Sequence, residues 1–270
     1  MQKEIDIKGI RIGKKPFVFI AGPCVIEPED TTLRIAELLV DITKKLHVPF
    51  IFKSSYDKAN RTSIKSYRGP GIIKGLEILA KVRNTFGCPV LTDVHSKEEA
   101  QIAGEVVDVI QVPALLSRQT DILIECGRTS KVVNIKKGQF MAPYDVKYAI
   151  DKVESTGNMK IIVTERGTCF GYNNLVNDFR AIPILKGLGY PVVFDATHSV
   201  QKPGALQGCS GGEREFVLPL SKAAIAIGVD GIFMEVHINP EEALCDGENS
   251  VAIRDLPSYL MTLKRIEESL

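Results

Sequence analysis

Continuous apolar runs recur along the chain, separated by stretches whose apolar positions fall on one helical face. FVFIA (17–21), PFIF (49–52), CPVLT (88–92), VVDVIQV (106–112), KVVNI (131–135), KIIVT (160–164), PVVFD (191–195) and GIFMEV (231–236) do not alternate. Unbroken runs of this length read as strands buried on both faces of a parallel sheet. The clearest helix covers 29–46, where Ile35, Leu38, Leu39, Ile42 and Leu46 fall at i, i+3, i+4, i+7 and i+11. Further helices are predicted over 72–86, 97–104, 118–129, 143–155, 174–187, 214–227 and 255–268. The first fifteen residues, with Ile5, Ile7, Ile10 and Ile12 around Lys8-Gly9, predict a short hairpin.

Eight strand–helix units with no low-complexity segment or flexible linker predict one domain over 1–270, a (β/α)8 TIM barrel with the hairpin at 1–15. An open doubly wound sheet is the rival. The count of eight, and the lack of a G-x-G-x-x-G or G-x-x-x-x-G-K-[ST] turn after the first strand, favour the barrel.

In a barrel, the residues that follow each strand converge on one mouth, where catalytic groups are held. Those residues are Cys24, Lys53, Asp93 with His95, Gln111, Asn134 with Lys136, Glu165 with Arg166, Asp195 with His198, and Glu235 with His237. Three of the four histidines fall at strand ends, and His47 reads as a helix-terminal residue. Charged groups are seldom buried unpaired, so their concentration behind apolar strands predicts a polar, ligand-filled mouth, with part of the set facing water as ordinary loop residues.

Composition narrows the class. The chain is 44% hydrophobic with a formal net charge of +1, which argues against a nucleic-acid or membrane-surface protein. No run of 18 apolar residues is present to span a bilayer, and the opening MQKEIDIKGIRIG lacks the apolar core of a signal peptide. Cys24, Cys88, Cys126, Cys169, Cys209 and Cys245 are widely spaced with no C-x-x-C pair, the pattern of a reduced cytoplasmic protein.

Against that near-neutral background the segment 49–71, PFIFKSSYDKANRTSIKSYRGPG, is a local basic feature. Lys53, Lys58, Arg61, Lys65 and Arg68, interleaved with Ser54, Ser55, Asn60, Thr62 and Ser63, suit a phosphate, or equally a solvated loop. Around the mouth, Lys53, Lys58, Arg61, Lys136 and Arg166 are enough cations for one or two phosphorylated substrates. Cys24, His198, Glu235 and Asp246 form a plausible divalent-metal set, although by residue type alone Cys24 is more often a small buried hydrophobe. Asp93 and His95 form either an acid–base pair or a structural one. Gly211-Gly212 ahead of Glu213 suggests a phosphate cradle or, preferably, a hinge. Glycines in the loops 200–212 and 245–252 permit lid motion.

The motifs AGPCVIE (21–27), FKSSYDKANRTS (52–63), TDVH (92–95), IQVPALLSRQTD (110–121), NIKKGQF (134–140), TERGTCFGYNNL (164–175), FDATHSVQ (194–201) and MEVH-x-x-P-E-x-A (234–243) together resemble the 3-deoxy-D-manno-octulosonate 8-phosphate synthases, over about residues 15–265. The related 3-deoxy-arabino-heptulosonate 7-phosphate synthases, which use erythrose 4-phosphate, carry K-P-R-[ST] where this chain has Lys58-Ala59-Asn60-Arg61. They are the alternative reading. The resemblance implies condensation of phosphoenolpyruvate with D-arabinose 5-phosphate and water, releasing inorganic phosphate, in lipopolysaccharide precursor synthesis.

By that pattern Lys53, Lys58, Lys136 and Arg166 hold phosphoenolpyruvate and Asn60, Arg61 and Thr62 grip the sugar phosphate, with Ser55 and Gln111 among the substrate-binding residues. Thr62 stands where many members have serine. Arg118 reaches a neighbouring subunit's site in a homotetramer. Lys136 or His198 assists proton transfer to the aldehyde, and Asp93, His95 or Asp246 handles water's proton. Cysteine at position 24 marks the metal-dependent group, which implies a divalent ion such as zinc, iron or manganese on Cys24, His198, Glu235 and Asp246, either orienting the aldehyde oxygen or activating water. Cys245-Asp246-Gly247 resembles a loop of the metal-independent group, so the chain combines features of both.

Overall fold

The computed structural model describes residues 2–206 and 209–270. The chain begins with the hairpin β1 (Ile5–Ile7) and β2 (Ile10–Ile12), followed by β3 (Val18–Gly22), α1 (Glu29–Lys45), β4 (Phe50–Lys53), α2 (Ile72–Phe86), β5 (Val90–Asp93) and α3 (Lys97–Val106). Next come β6 (Val109–Val112), α4 (Thr120–Arg128), β7 (Val132–Lys136), α5 (Val146–Glu154), β8 (Ile161–Glu165), the small hairpin β9 (Thr168–Cys169) and β10 (Leu175–Val176), and α6 (Ala181–Lys186). The last third carries β11 (Val192–Asp195), β12 (Gln201–Leu206), β13 (Cys209–Gly212), α7 (Val217–Ile227), β14 (Gly231–His237), β15 (Val251–Ala252) and α8 (Leu256–Glu268).

Eight of these strands pair in parallel in the order β11, β8, β7, β6, β5, β4, β3, β14, and β11 pairs back onto β14. The sheet is therefore a closed (β/α)8 barrel, capped at its start by the antiparallel pair β1–β2.

Strand alternation sets the two cores. Phe19, Ala21, Phe50, Phe52, Val90, Ile110, Val133 and Val163 face outward and pack under the helices. Ile20, Ile51, Leu91, Val109, Val132, Ile162, Val193 and Phe233 face inward, and Ile5, Ile7 and Ile12 of the hairpin join them as a plug. Because side chains alternate with period two, the residue two places beyond each inward apolar group also points inward, higher in the barrel. Lys53 follows Ile51, Asp93 follows Leu91, Gln111 follows Val109, Asp195 follows Val193 and Glu235 follows Phe233. The barrel interior thus turns from apolar to ionic within one pleat, and all five of these polar residues are buried.

Three local expectations need correction. Helix is absent from 174–180: Leu175 and Val176 pair with Cys169 and Thr168 instead. Gly171 (φ 75°) and Asn173 (φ 51°) supply the left-handed turn that this hairpin needs, and α6 begins only at Ala181. Gly211 and Gly212 lie in β13, paired with Lys202 and Gln201, so they make neither a helix N-terminus nor a phosphate cradle. The expected glycine loop 200–212 is largely this β12–β13 hairpin, and residues 207 and 208 lie outside the described residues. No helix among the described residues is long and apolar enough to cross a membrane.

Gly22 ends β3 where a methyl group would collide with the Lys53 carbonyl of β4. Gly22→Ala is expected to lower unfolding free energy by about 2 kcal/mol or more, as overpacking against backbone does, and to displace Lys53. Denaturant unfolding checks this, and an unchanged midpoint would show that the strands separate freely there.

Candidate active site

A cavity of about 410 Å³ opens at the C-terminal ends of the strands. Its lining includes five cations, Lys53, Lys58, Arg61, Lys136 and Arg166, against the two carboxylates Asp93 and Asp246. Asn60, Thr62, His95, Gln111 and His198 line it too. The basic segment divides. Lys53, Lys58 and Arg61 turn into the mouth, whereas Lys65 is exposed and Arg68 is spent on Asp57 at the surface.

Below the floor the charges interlock. Lys136 Nζ is 2.6 Å from Asp195 Oδ2, and His198 Nδ1 is 2.8 Å from the same oxygen. Glu235 Oε1 is met by Lys53 Nζ at 3.4 Å, His198 Nε2 at 3.3 Å and Lys58 Nζ at 4.0 Å. Burial pushes both carboxyls up, but His198 and Lys136 outweigh it at Asp195, and His198, Lys53 and Lys58 outweigh it at Glu235, so both lie below the usual carboxylate range. Burial lowers Lys136, with Asp195 only partly offsetting it, which leaves that ammonium readier to give up a proton. Lys58 lies above the ordinary lysine range: burial lowers it, but nearby Cys24, Glu235 and Cys245 prevail.

On the adjacent wall Asp93 accepts a short hydrogen bond from Ser55, and its Oδ2 is 3.2 Å from His95 Nε2. His95 Nδ1 faces Glu99 at 3.1 Å. Burial opposes ionisation of Asp93, but the His95 contact and the nearby Lys53 hold its carboxyl well below the usual range.

Cys24 is buried beside Cys245, with the two sulfurs 2.7 Å apart and Cys24 Sγ 3.2 Å from Asp246 Oδ2. Burial, the Cys245 contact and the Asp246 charge push the Cys24 thiol well up. Two donor clusters share Asp246: Cys24 with Cys245 and Asp246, and His198 with Glu235 and Asp246, each with ligand atoms within 4.8 Å of one another. Among the described residues Glu235 Oε2 is buried without a hydrogen-bond partner. A thiol, an imidazole and two carboxylates linked through Asp246, with one buried carboxylate oxygen left over, make a donor set that fits a divalent metal ion.

Of the residues anticipated from sequence, Cys24, Ser55 and Glu235 lie just beneath the cavity lining, and Arg118 is exposed outside it. Asn134 is also beneath, accepting from Thr164 and donating to Gln111. Glu165 turns away to buried Lys137, at 3.5 Å. Asp195, named at a strand end but given no role, proves to be the anchor of Lys136 and His198. Its place two residues after inward Val193 was the available signal.

Residues 2–270 match the DAHP synthetase I family. Proteins named 2-dehydro-3-deoxyphosphooctonate aldolase from Geobacter sulfurreducens, Geotalea uraniireducens and Pelobacter propionicus are each 59% identical over 268 residues, covering 99% of this chain and 98% of theirs.

Asp93 and Asp195, with lowered folded-state pKa values, contribute stability that is fully present above the unfolded carboxylate value of about 4 and is lost as pH falls through the lower folded value. Acid titration of unfolding free energy should therefore hold this contribution from neutrality to about pH 4 and lose it below. Asp195→Asn is expected to cost about 3 kcal/mol at neutral pH, because it leaves Lys136 buried without its counter-charge, and to flatten the acid limb. An acid limb identical to that of the parent chain would contradict this.

Proposed function

The chain belongs to the DAHP synthetase I family, and within it we propose that the chain is an enzyme condensing phosphoenolpyruvate with D-arabinose 5-phosphate and water to give 3-deoxy-D-manno-octulosonate 8-phosphate and inorganic phosphate. The names of its relatives favour the octulosonate over the heptulosonate product. The observation that carries the reading is the excess of cations over carboxylates in the cavity lining, with Arg166 Nη1 and Arg61 Nε buried and unpartnered among the described residues. Orphaned guanidinium donors beside lysines suit phosphate oxygens.

In this reading Lys53, Lys58, Lys136 and Arg166 hold phosphoenolpyruvate, with Ser55 and Gln111 supporting that wall, and Asn60, Arg61 and Thr62 hold the sugar phosphate at the rim. The two anions repel in water, and fixed cations offset that repulsion before reaction. The enol carbon of phosphoenolpyruvate attacks the aldehyde carbon, whose oxygen takes a proton from Lys136 or His198. Water adds to the carbon bearing phosphate, its proton passing to Asp93, His95 or Asp246, and the carbon–oxygen bond to phosphate then breaks. Cys24, His198, Glu235 and Asp246 would hold a divalent ion such as zinc, iron or manganese, which supplies Lewis-acid polarisation when bound.

We read the assembly as a cytoplasmic homotetramer. Arg118 stands outside its own cavity, and exposed Leu115, Phe140, Tyr144 and Tyr148 offer apolar surface for a second copy.

Phosphate release from phosphoenolpyruvate should require arabinose 5-phosphate, stop with a strong chelator and return with divalent metal. Cys24→Asn should lower bound metal at least about tenfold. Release supported only by erythrose 4-phosphate would sink the substrate assignment, and metal content unaffected by Cys24→Asn would remove Cys24 from the ligands.

A further inference from the structure

Glu27 and His237 both sit beside the mouth without lining the cavity, and the reaction described above uses neither. Glu27 is buried, and the chain around it is fixed: the neighbouring Ile26 N–H donates to Ser55 O at 2.8 Å, and Glu27 O accepts from Thr32 Oγ1 of α1 at 3.2 Å. Its carboxylate spans two other segments. Oε2 is 3.1 Å from His237 Nε2, and Oε1 accepts the Leu244 N–H at 3.1 Å. His237 Nδ1 in turn faces the Asn239 carbonyl at 2.6 Å.

The segment this carboxylate grips carries Cys245 and Asp246. Burial holds it only in part: Cys245 is buried against Cys24 and Val25, but the Leu244 side chain is 40% exposed. Its turn is also conformationally demanding. Asp246 adopts φ 50°, a left-handed conformation unusual for a residue with a side chain, and any side chain at Gly247 would strike the Pro240 carbonyl. Polar ties therefore add to that packing in setting its position. The Leu244 peptide is clasped on both sides, its N–H by Glu27 and its carbonyl by Arg61 Nη2 at 3.0 Å. One and two residues further on stand Cys245 and Asp246, against Cys24 and His198.

We infer that Glu27 and His237 are positioning residues, a buried carboxylate–imidazole pair that fixes Cys245 and Asp246 against Cys24 and His198. The pair ties the loop between β3 and α1 to the end of β14 and to the 244–246 turn, so the donors from three separate segments hold one geometry. Groups of this kind, one shell out from the reacting atoms, set ligand orientation. One readout of the inference rests on the metal reading above, and the other does not.

The test uses Glu27→Gln, which keeps shape and an acceptor for Leu244 N–H but removes the charge facing His237, and His237→Gln as a second probe. The full chain is titrated with Co²⁺, following the cobalt–thiolate absorption of Cys24, and kcat and KM for phosphoenolpyruvate are measured beside it. Both variants are expected to bind Co²⁺ roughly 10–100-fold more weakly and to lose kcat, with KM for phosphoenolpyruvate unchanged because its cations are untouched. Folded variants with parental Co²⁺ affinity and kcat would overturn the inference. So would variants whose only defect is a smaller folded fraction by circular dichroism, which would make the pair a structural strut. If the parent chain gives no cobalt–thiolate absorption, the metal reading fails by itself. The split between kcat and KM then decides the pair.

Discussion

Charge neutralisation inside the barrel mouth is the constraint on which the rest of this structure depends. Lys53, Lys136, Arg166, Asp93, Asp195 and Glu235 are all nearly inaccessible to water, and none could be buried alone without a large desolvation penalty. Most meet an opposite charge directly: Asp195 lies between Lys136 and His198, and Glu235 among Lys53, Lys58 and His198. The compensation is incomplete on the cationic side at the cavity surface, and that imbalance suits the mouth to anionic substrates. Donors already fixed and desolvated need little reorganisation when charge moves during reaction.

The barrel supplies this arrangement through parity. An inward isoleucine, leucine, valine or phenylalanine fixes the face of its strand, and the residue two places on must then point into the mouth. A one-residue slip of β4 would put Phe52 where Lys53 points and take that ammonium out of the mouth. Closure by the β11–β14 pairing brings Asp195 beside Phe233 in register, and Glu235 lies two residues further along β14. His198 can therefore reach both carboxylates. Contacts between the strand ends and the 244–246 turn extend the same logic to Cys245 and Asp246, which no strand carries.

Much of this was legible in the chain. The unbroken apolar runs marked all eight barrel strands, because a strand buried on both faces has no polar positions to spare, and counting two from their inward residues reaches Lys53, Asp93, Asp195 and Glu235. The stretch 174–180 misled because its spacing of apolar residues is helical, while Gly171 and Asn173 impose a tight turn that periodicity does not register. Lys65 and Arg68 were indistinguishable by composition from Lys58 and Arg61, since only the path of the loop decides which cations turn inward. Glu27 was equally hidden. Its partners lie 210 and 217 residues away, a separation that only the closed barrel brings together.

In the proposed reaction the buried cations at the strand ends form a preorganised anion site for phosphoenolpyruvate. A crystal structure of the chain soaked with phosphoenolpyruvate tests it most directly. The ligand is expected among Lys53, Lys58, Lys136 and Arg166, its oxygens taking Arg166 Nη1, unpartnered among the described residues, while the Lys136–Asp195 and Lys53–Glu235 pairs stay in place. Phosphoenolpyruvate bound elsewhere, or bound only after those ion pairs separate, would contradict it.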